Sequence, residues 1–160
     1  MVVCTNREGL YEALESIQDR LSLCEKALAE YLETKRLAFP RFYFVSSADL
    51  LDILSIGNEP EKAIKHLSKL FDSLAKLKLD EEKPKTALGM QAKDGENVAF
   101  PSPCDLSGQV EVWLQRVLNT QINTVLYWLA EAVQAYEEKS REQWIMEFPG
   151  QVKQNNTIQL

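Results

Sequence analysis

A proline set inside a cluster of aromatic residues, Phe39-Pro40-Arg41-Phe42-Tyr43-Phe44, limits the folds open to this chain more than any other stretch. Pro40 has no amide hydrogen and biases Phe39 away from helical angles, so a helix arriving from the N-terminal side must stop there. Arg41 to Val45 are then expected to run extended. Four aromatic rings within six residues are more apolar surface than a solvent loop tolerates, which predicts a packed corner between helices. Arg41, the cation in that corner, is expected to stack on a ring, to pair with a buried carboxylate, or to stay exposed at the corner's edge.

The helix that runs into this corner is heptad-patterned. Leu10, Leu14, Ile17, Leu21, Cys24, Leu28 and Tyr31 recur at alternating spacings of four and three, an unbroken a/d seam over about three heptads. Thr5 with Glu8 forms a capping-box pattern at its start. So narrow a stripe suits one long partner. That partner is either another helix of an antiparallel bundle in the same chain or a helix of a second molecule.

Beyond the corner, Ser46 or Ser47 can cap a short, well-buried helix carrying Leu50, Leu51, Ile53 and Leu54. Gly57-Asn58 ends it, and Pro60 suits the first turn of a third helix, with Ile64, Leu67, Phe71 and Leu74 on its apolar side, Leu70 and Leu77 beside them, and Lys62, Lys65, Lys69 and Lys76 in water. His66, the single histidine, reads as a partly buried packing residue, because no second His or Cys stands at ligand spacing. The turn Lys93-Asp94-Gly95-Glu96 between weakly alternating segments predicts a β-hairpin over 85–100 that must lean on the helices or on a partner, closed by Pro101 and Pro103. Ser107 is expected to cap a second long helix from Val110 past Ala135, whose wide apolar face includes Trp113, Leu118, Trp128, Leu129, Val133 and Tyr136. Ser140 with Gln143 opens a last short helix before Pro149-Gly150. The fold class expected is therefore mainly α: an elongated helical bundle with two long helices, short helices and a small β-hairpin.

Several function classes are excluded by what such functions need. Lys and Arg number 18 against 24 Asp and Glu, for a net charge of −6, and no basic block is long enough to follow a phosphate backbone, so no nucleic-acid partner is expected. No apolar run approaches the ~20 residues of a membrane span, and no cationic flank precedes an apolar stretch at the start, so no membrane partner is expected and an intracellular, soluble protein is. Cys4, Cys24 and Cys104 are widely spaced and read as reduced thiols packed as small hydrophobes. No glycine precedes a Lys-Ser or Lys-Thr at phosphate-loop spacing, a lone histidine excludes HExxH, and no GxSxG elbow is present. Glu81 and Glu82 sit in a solvated charge run, and Asn155-Asn156-Thr157 matches a glycosylation acceptor by chance. Catalytic, cofactor-binding and metal-ligating residues are all read as none. What remains is a helical packing or interaction module without chemistry of its own.

The run YLETKRLAFPRFYFVSSADLLDIL resembles the linker region of dynein heavy chains, which lies between the tail and the AAA+ ring. The family's order continues in HLSKLFDSLAKLKLD, GQVEVWL and YEEKSREQWIMEFPGQV, so the resemblance covers roughly residues 7–152 and is stronger to axonemal, outer-arm types than to cytoplasmic ones. It implies a flank over 1–6, a helical linker-region module over 7–152 with the aromatic junction at 39–45, and a frayed tail over 153–160. The function implied is mechanical: a linker arm that couples ATP-driven changes in the ring to movement of the tail along microtubules, within the axoneme of a cilium or flagellum or elsewhere on the cytoskeleton of the cytoplasm. ATP and Mg belong to the parent's ring, and none is expected here. The implied partners are the AAA+ ring and the rest of the linker, with microtubules reached only through the parent and self-association open to the isolated piece. The hairpin tip, Lys93, Asp94 and Gly95, is the candidate surface for docking on the ring. After Gln151-Val152 the family continues into a tryptophan-rich helical stretch and the ring, whereas VKQNNTIQL departs from that pattern. The rival reading is a free-standing helical or coiled-coil adaptor that holds a partner helix through the 10–31 seam.

Overall fold

The structure, a computed structural model, describes residues 8–149. Helix α1 spans Leu10–Ala38 and follows Gly9, whose φ of 76° is left-handed backbone that glycine adopts without strain. The capping box expected at Thr5 lies outside the described residues. Phe39 ends α1 in extended backbone, as Pro40 requires, but Pro40–Phe44 then winds into a 3-10 turn rather than running extended. Proline's fixed φ serves as well at the first position of a helical turn as in an extended strand, and here the 3-10 winding swings Phe39 and Phe42 to the same side. Both rings are fully buried, while Tyr43 and Phe44 are exposed, so two of the four aromatics make the corner.

Helix α2, Ser47–Ser55, is capped by Ser46, whose hydroxyl accepts the Asp49 amide at 3.1 Å. Leu50 and Ile53 face the core, with Leu54 half-buried and Leu51 exposed. The third helix is broken where the sequence pattern suggested continuity. Helix α3 (Pro60–Ala63), a 3-10 turn (Ile64–His66) and helix α4 (Leu67–Leu70) give way at Phe71, and Leu74–Leu79 is strand β1. Strand β1 pairs antiparallel with β2 (Thr86–Ala92), and β2 pairs with β3 (Asn97–Asp105), in the order β1-β2-β3. The hairpin is thus present, widened to a three-stranded sheet by a segment that reads as helix. Pro101 and Pro103 do not close it: β3 runs through both. They are tolerated because β3 is an outer strand and because the register jumps from Ala87↔Cys104 to Gly89↔Ala99, leaving the prolines in a bulge with no pairing duty.

Helix α5, Val110–Glu138, begins after Gln109 rather than Ser107; Ser107 instead donates its amide and hydroxyl to the Asp105 carboxylate in the preceding turn. Helix α6, Arg141–Glu147, is capped by Ser140, which accepts the Gln143 amide at 3.4 Å, and the Trp144 indole donates to the Ala132 carbonyl at 2.7 Å, folding α6 back on α5. The fold is mainly α, with two long helices. The core joins Leu32, Phe39, Phe42, Leu50, Ile53, Leu67 and Phe71 to the sheet and to Val110, Trp113, Leu114 and Val117. It encloses only the last turns of α1 and the first half of α5. No helix among the described residues is long and apolar enough to cross a membrane.

Candidate functional site

Where α1 ends, the aromatic corner, the end of α2 and the start of α5 come together in the core. The Phe39 and Phe42 rings meet edge to face at 5.1 Å between centroids, and Phe71 closes the far side at 6.5 Å from Phe39. Arg41 caps this group: its guanidinium lies 4.9 Å from the Phe71 ring centroid and donates to the Leu70 carbonyl at 3.0 Å. Of the fates open to Arg41, stacking is the one observed. On the α5 side the fully buried Trp113 indole donates to the Gly57 carbonyl at 3.0 Å. A Cβ on Gly57 would lie 2.8 Å from the Val110 Cβ, so only glycine lets the α2 end sit this close to α5.

Electrostatics tie the same joint. Lys35, in the last turn of α1, meets Glu111, in the first turn of α5, at 2.5 Å, and Glu111 is only 7% exposed. The hydrogen bond to Glu111 raises the Lys35 pKa above its ordinary value. A cation at a helix C-terminus and an anion at a helix N-terminus each oppose the local dipole charge, so this pair joins the two helix ends in the favourable sense. Arg36 reaches the Ser47 hydroxyl at 3.0 Å, and Tyr43 donates to Glu33 at 2.5 Å, which raises the Tyr43 pKa. Three contacts from one turn therefore hold α1 to the 3-10 turn, to α2 and to α5. Around them, Asp52 accepts from Lys65 at 3.2 Å and from His66 Nε2 at 2.9 Å, and Asp49 from Lys69 at 2.8 Å; those hydrogen bonds hold both carboxyls below the usual carboxylate range. Arg116 clamps the β3–α5 connection through the Asp105 carboxylate and the Ser107 carbonyl.

The remaining sequence-derived residues fall elsewhere. Leu14, Ile17, Leu21, Cys24, Leu28 and Tyr31 are exposed along α1, and Leu10 is half-buried, so neither the bundle partner nor the packed thiol at Cys24 is found among the described residues. Lys93, Asp94 and Gly95 form the exposed hairpin tip, with Gly95 at φ 90° and Lys93 donating its amide to the Ser73 carbonyl. Cys104 is buried, and that burial pushes its thiol pKa up. A groove of about 720 Å³ opens between the sheet, the distal half of α5 and α6, lined by Met90, Val98, Val125, Trp128 and Phe148 among others. No cluster of metal-ligating side chains occurs among the described residues. The sequence reading does not single out Lys35 or Glu111, and it takes Gly57 only as a helix stop; a cation-rich last turn and an acidic first turn are the signals that mark the first two.

A family model described as "Dynein heavy chain, N-terminal region 2" matches residues 1–132. The chain belongs to the dynein heavy chain family. It is 62% identical to dynein axonemal heavy chain 17 of Homo sapiens over 156 residues, covering 95% of this chain and 4% of that protein. It is 60% identical to the ciliary dynein beta chain of Tripneustes gratilla over the same shares, and 45% identical to the flagellar outer-arm dynein beta chain of Chlamydomonas reinhardtii over 90% of this chain and 3% of that one. The chain thus spans about 4% of the length of the human and Tripneustes relatives. Within this dynein heavy chain segment the matched region holds the whole joint, from Lys35 through Phe39 and Phe42 to Glu111 and Trp113.

Proposed function

We propose that this segment is part of the linker arm of an axonemal dynein heavy chain, acting as a stiff joint within a lever in a cilium or flagellum. The observation that carries the reading is the joint itself: two 29-residue helices held end to end by Lys35–Glu111 over a core of Phe39, Phe42 and Trp113. A helix of that length runs about 43 Å at 1.5 Å per residue, so a joint that resists bending carries a displacement at one tip to the other. In this role the segment performs no catalysis: ATP hydrolysis belongs to the AAA+ ring of the parent heavy chain, and microtubules are reached only through that parent. The Lys93-Asp94-Gly95 tip, exposed and held by the sheet, is the surface proposed to dock on the ring.

The test is a microtubule gliding assay on an intact axonemal heavy chain bearing Phe42→Ala or Trp113→Ala. Gliding slows severalfold while the ring still hydrolyses ATP, because the stroke is lost in the softened joint. Unchanged gliding velocity with a demonstrably loosened joint contradicts the reading. A charge reversal at Lys93 that leaves both ring docking and motility untouched removes the hairpin from it.

A second reading rests on the uncovered seam of α1. As an adaptor, the segment holds a partner helix along Leu10–Tyr31, whose Leu14, Ile17, Leu21, Leu28 and Tyr31 are exposed.

A further inference from the structure

The two prolines of β3 flank a residue that neither functional reading uses. We propose that Ser102, between Pro101 and Pro103, is a phosphoacceptor for a proline-directed serine/threonine kinase, with ATP as the phosphoryl donor. Of the six prolines in the chain, Pro103 alone follows a serine or threonine. A kinase of this class binds its substrate extended and takes the residue after the acceptor in a pocket that suits proline, which brings no amide hydrogen to be satisfied. Asp105 stands third after Ser102, so the kinase must be one that needs the proline and no basic residue beyond it.

The sheet presents this serine in the form such an enzyme binds. Between the pairs Ala87↔Cys104 and Gly89↔Ala99, the residues Phe100, Pro101, Ser102 and Pro103 stand opposite Leu88 alone. The bulge is pinned in the core at both ends, with Phe100 8% and Cys104 3% exposed, while the three residues between them are exposed. Pro103 keeps Ser102 extended, and neither proline has an amide to give to the ladder, so reaching Ser102 breaks no strand pairing. The Ser102 hydroxyl makes no hydrogen bond among the described residues. Ser107, the next serine, is the built-in contrast: its hydroxyl donates to Asp105 at 2.7 Å and no proline follows it. In the transfer, Ser102 Oγ bonds to the γ-phosphorus of Mg-bound ATP as the bond from that phosphorus to the β,γ-bridging oxygen breaks. ADP leaves, and the hydroxyl proton passes to the catalytic aspartate of the kinase. The product carries about two negative charges at neutral pH, on a side chain that supports nothing in the core. The joint of α1 and α5 is left intact, and what changes is the charge that the outer strand presents.

The experiment incubates an intact heavy chain carrying this segment with a mitogen-activated protein kinase and Mg-ATP, then maps phosphate on the tryptic peptide 94–116, which holds both Ser102 and Ser107. One phosphate at Ser102 is expected, with none on this peptide in Ser102→Ala and nearly all of it lost in Pro103→Ala, where the acceptor remains. Phosphate on the free peptide 94–116 but not on the intact chain overturns presentation by the bulge. Phosphate at Ser107 in place of Ser102, or labelling that persists in Pro103→Ala, overturns Ser102 as a proline-directed site. The same mapping on heavy chain isolated from ciliated cells with phosphatases inhibited is expected to find Ser102 phosphorylated. An unmodified Ser102 there overturns the modification as a property of the working protein.

Discussion

Leu32, near the end of α1, is enclosed, whereas the apolar seam of the three heptads before it is bare among the described residues. Leu32 is 3% exposed, whereas Leu21, three turns earlier, is 63% exposed. What separates them is non-local: the sequence returns to Leu32 and Phe39 with α2, α4 and α5, but sends nothing back to Leu21 among the described residues. Periodicity states which face of a helix is apolar. It does not state whether this chain supplies the cover.

Substitutions sharpen that contrast when taken from the enclosed region outward. Trp113→Ala removes a fully buried ring and its bond to Gly57, and should destabilise the fold by about 3–5 kcal/mol in a denaturant titration. Gly57→Val forces a side chain against Val110 where there is 2.8 Å of room, and should cost about 1–3 kcal/mol by the same measurement. Acid acts on the rim of the core. Asp49, Asp52 and Asp105 have lowered pKa values in the fold, so the stability they contribute is present above their unfolded value of about 4 and is lost as pH falls through the lower folded values. Thermal unfolding followed from pH 7 downward should show that loss beginning near pH ~4, and Asp52→Asn should shrink it. Leu21→Ser, on the bare stretch, should move the stability of the isolated chain by less than about 0.5 kcal/mol. A large loss there would mean that the seam is covered after all.

The contrast also explains what was legible in the sequence. Features fixed by local chemistry were readable: the stop at Phe39, the caps at Ser46 and Ser140, Pro60 in a first turn, and the Asp94-Gly95 turn. Features fixed by distant partners were not. Leu74-Ala75-Lys76-Leu77-Lys78-Leu79 has residue types that favour helix and a spacing that continues the preceding stripe; pairing with β2 overrides both. Alternation of Leu77 and Leu79 with Lys76 and Lys78 was the weaker signal, and it was the correct one. Ser107 looks like a helix cap by residue type, but Asp105 two residues earlier holds its hydroxyl and amide, and Arg116 fixes that turn from α5. Likewise, four aromatics in six residues cannot all be enclosed by one 3-10 turn, and only the structure shows which two are. At the joint, the aromatic half was visible as a cluster, while Lys35 and Glu111 are 76 residues apart and meet only once the core has formed.

In the proposed role the joint makes one rigid body of α1 and α5. The most direct test places spin labels at Asp19 and Glu131, in a chain freed of the Cys4 and Cys24 thiols and diluted with unlabelled copies, and measures the distance distribution between them. A rigid joint gives a single narrow distance that broadens in Phe42→Ala. A broad or bimodal distribution in the unaltered chain would mean that the two helices swing independently, and the lever would have no stiffness here to transmit.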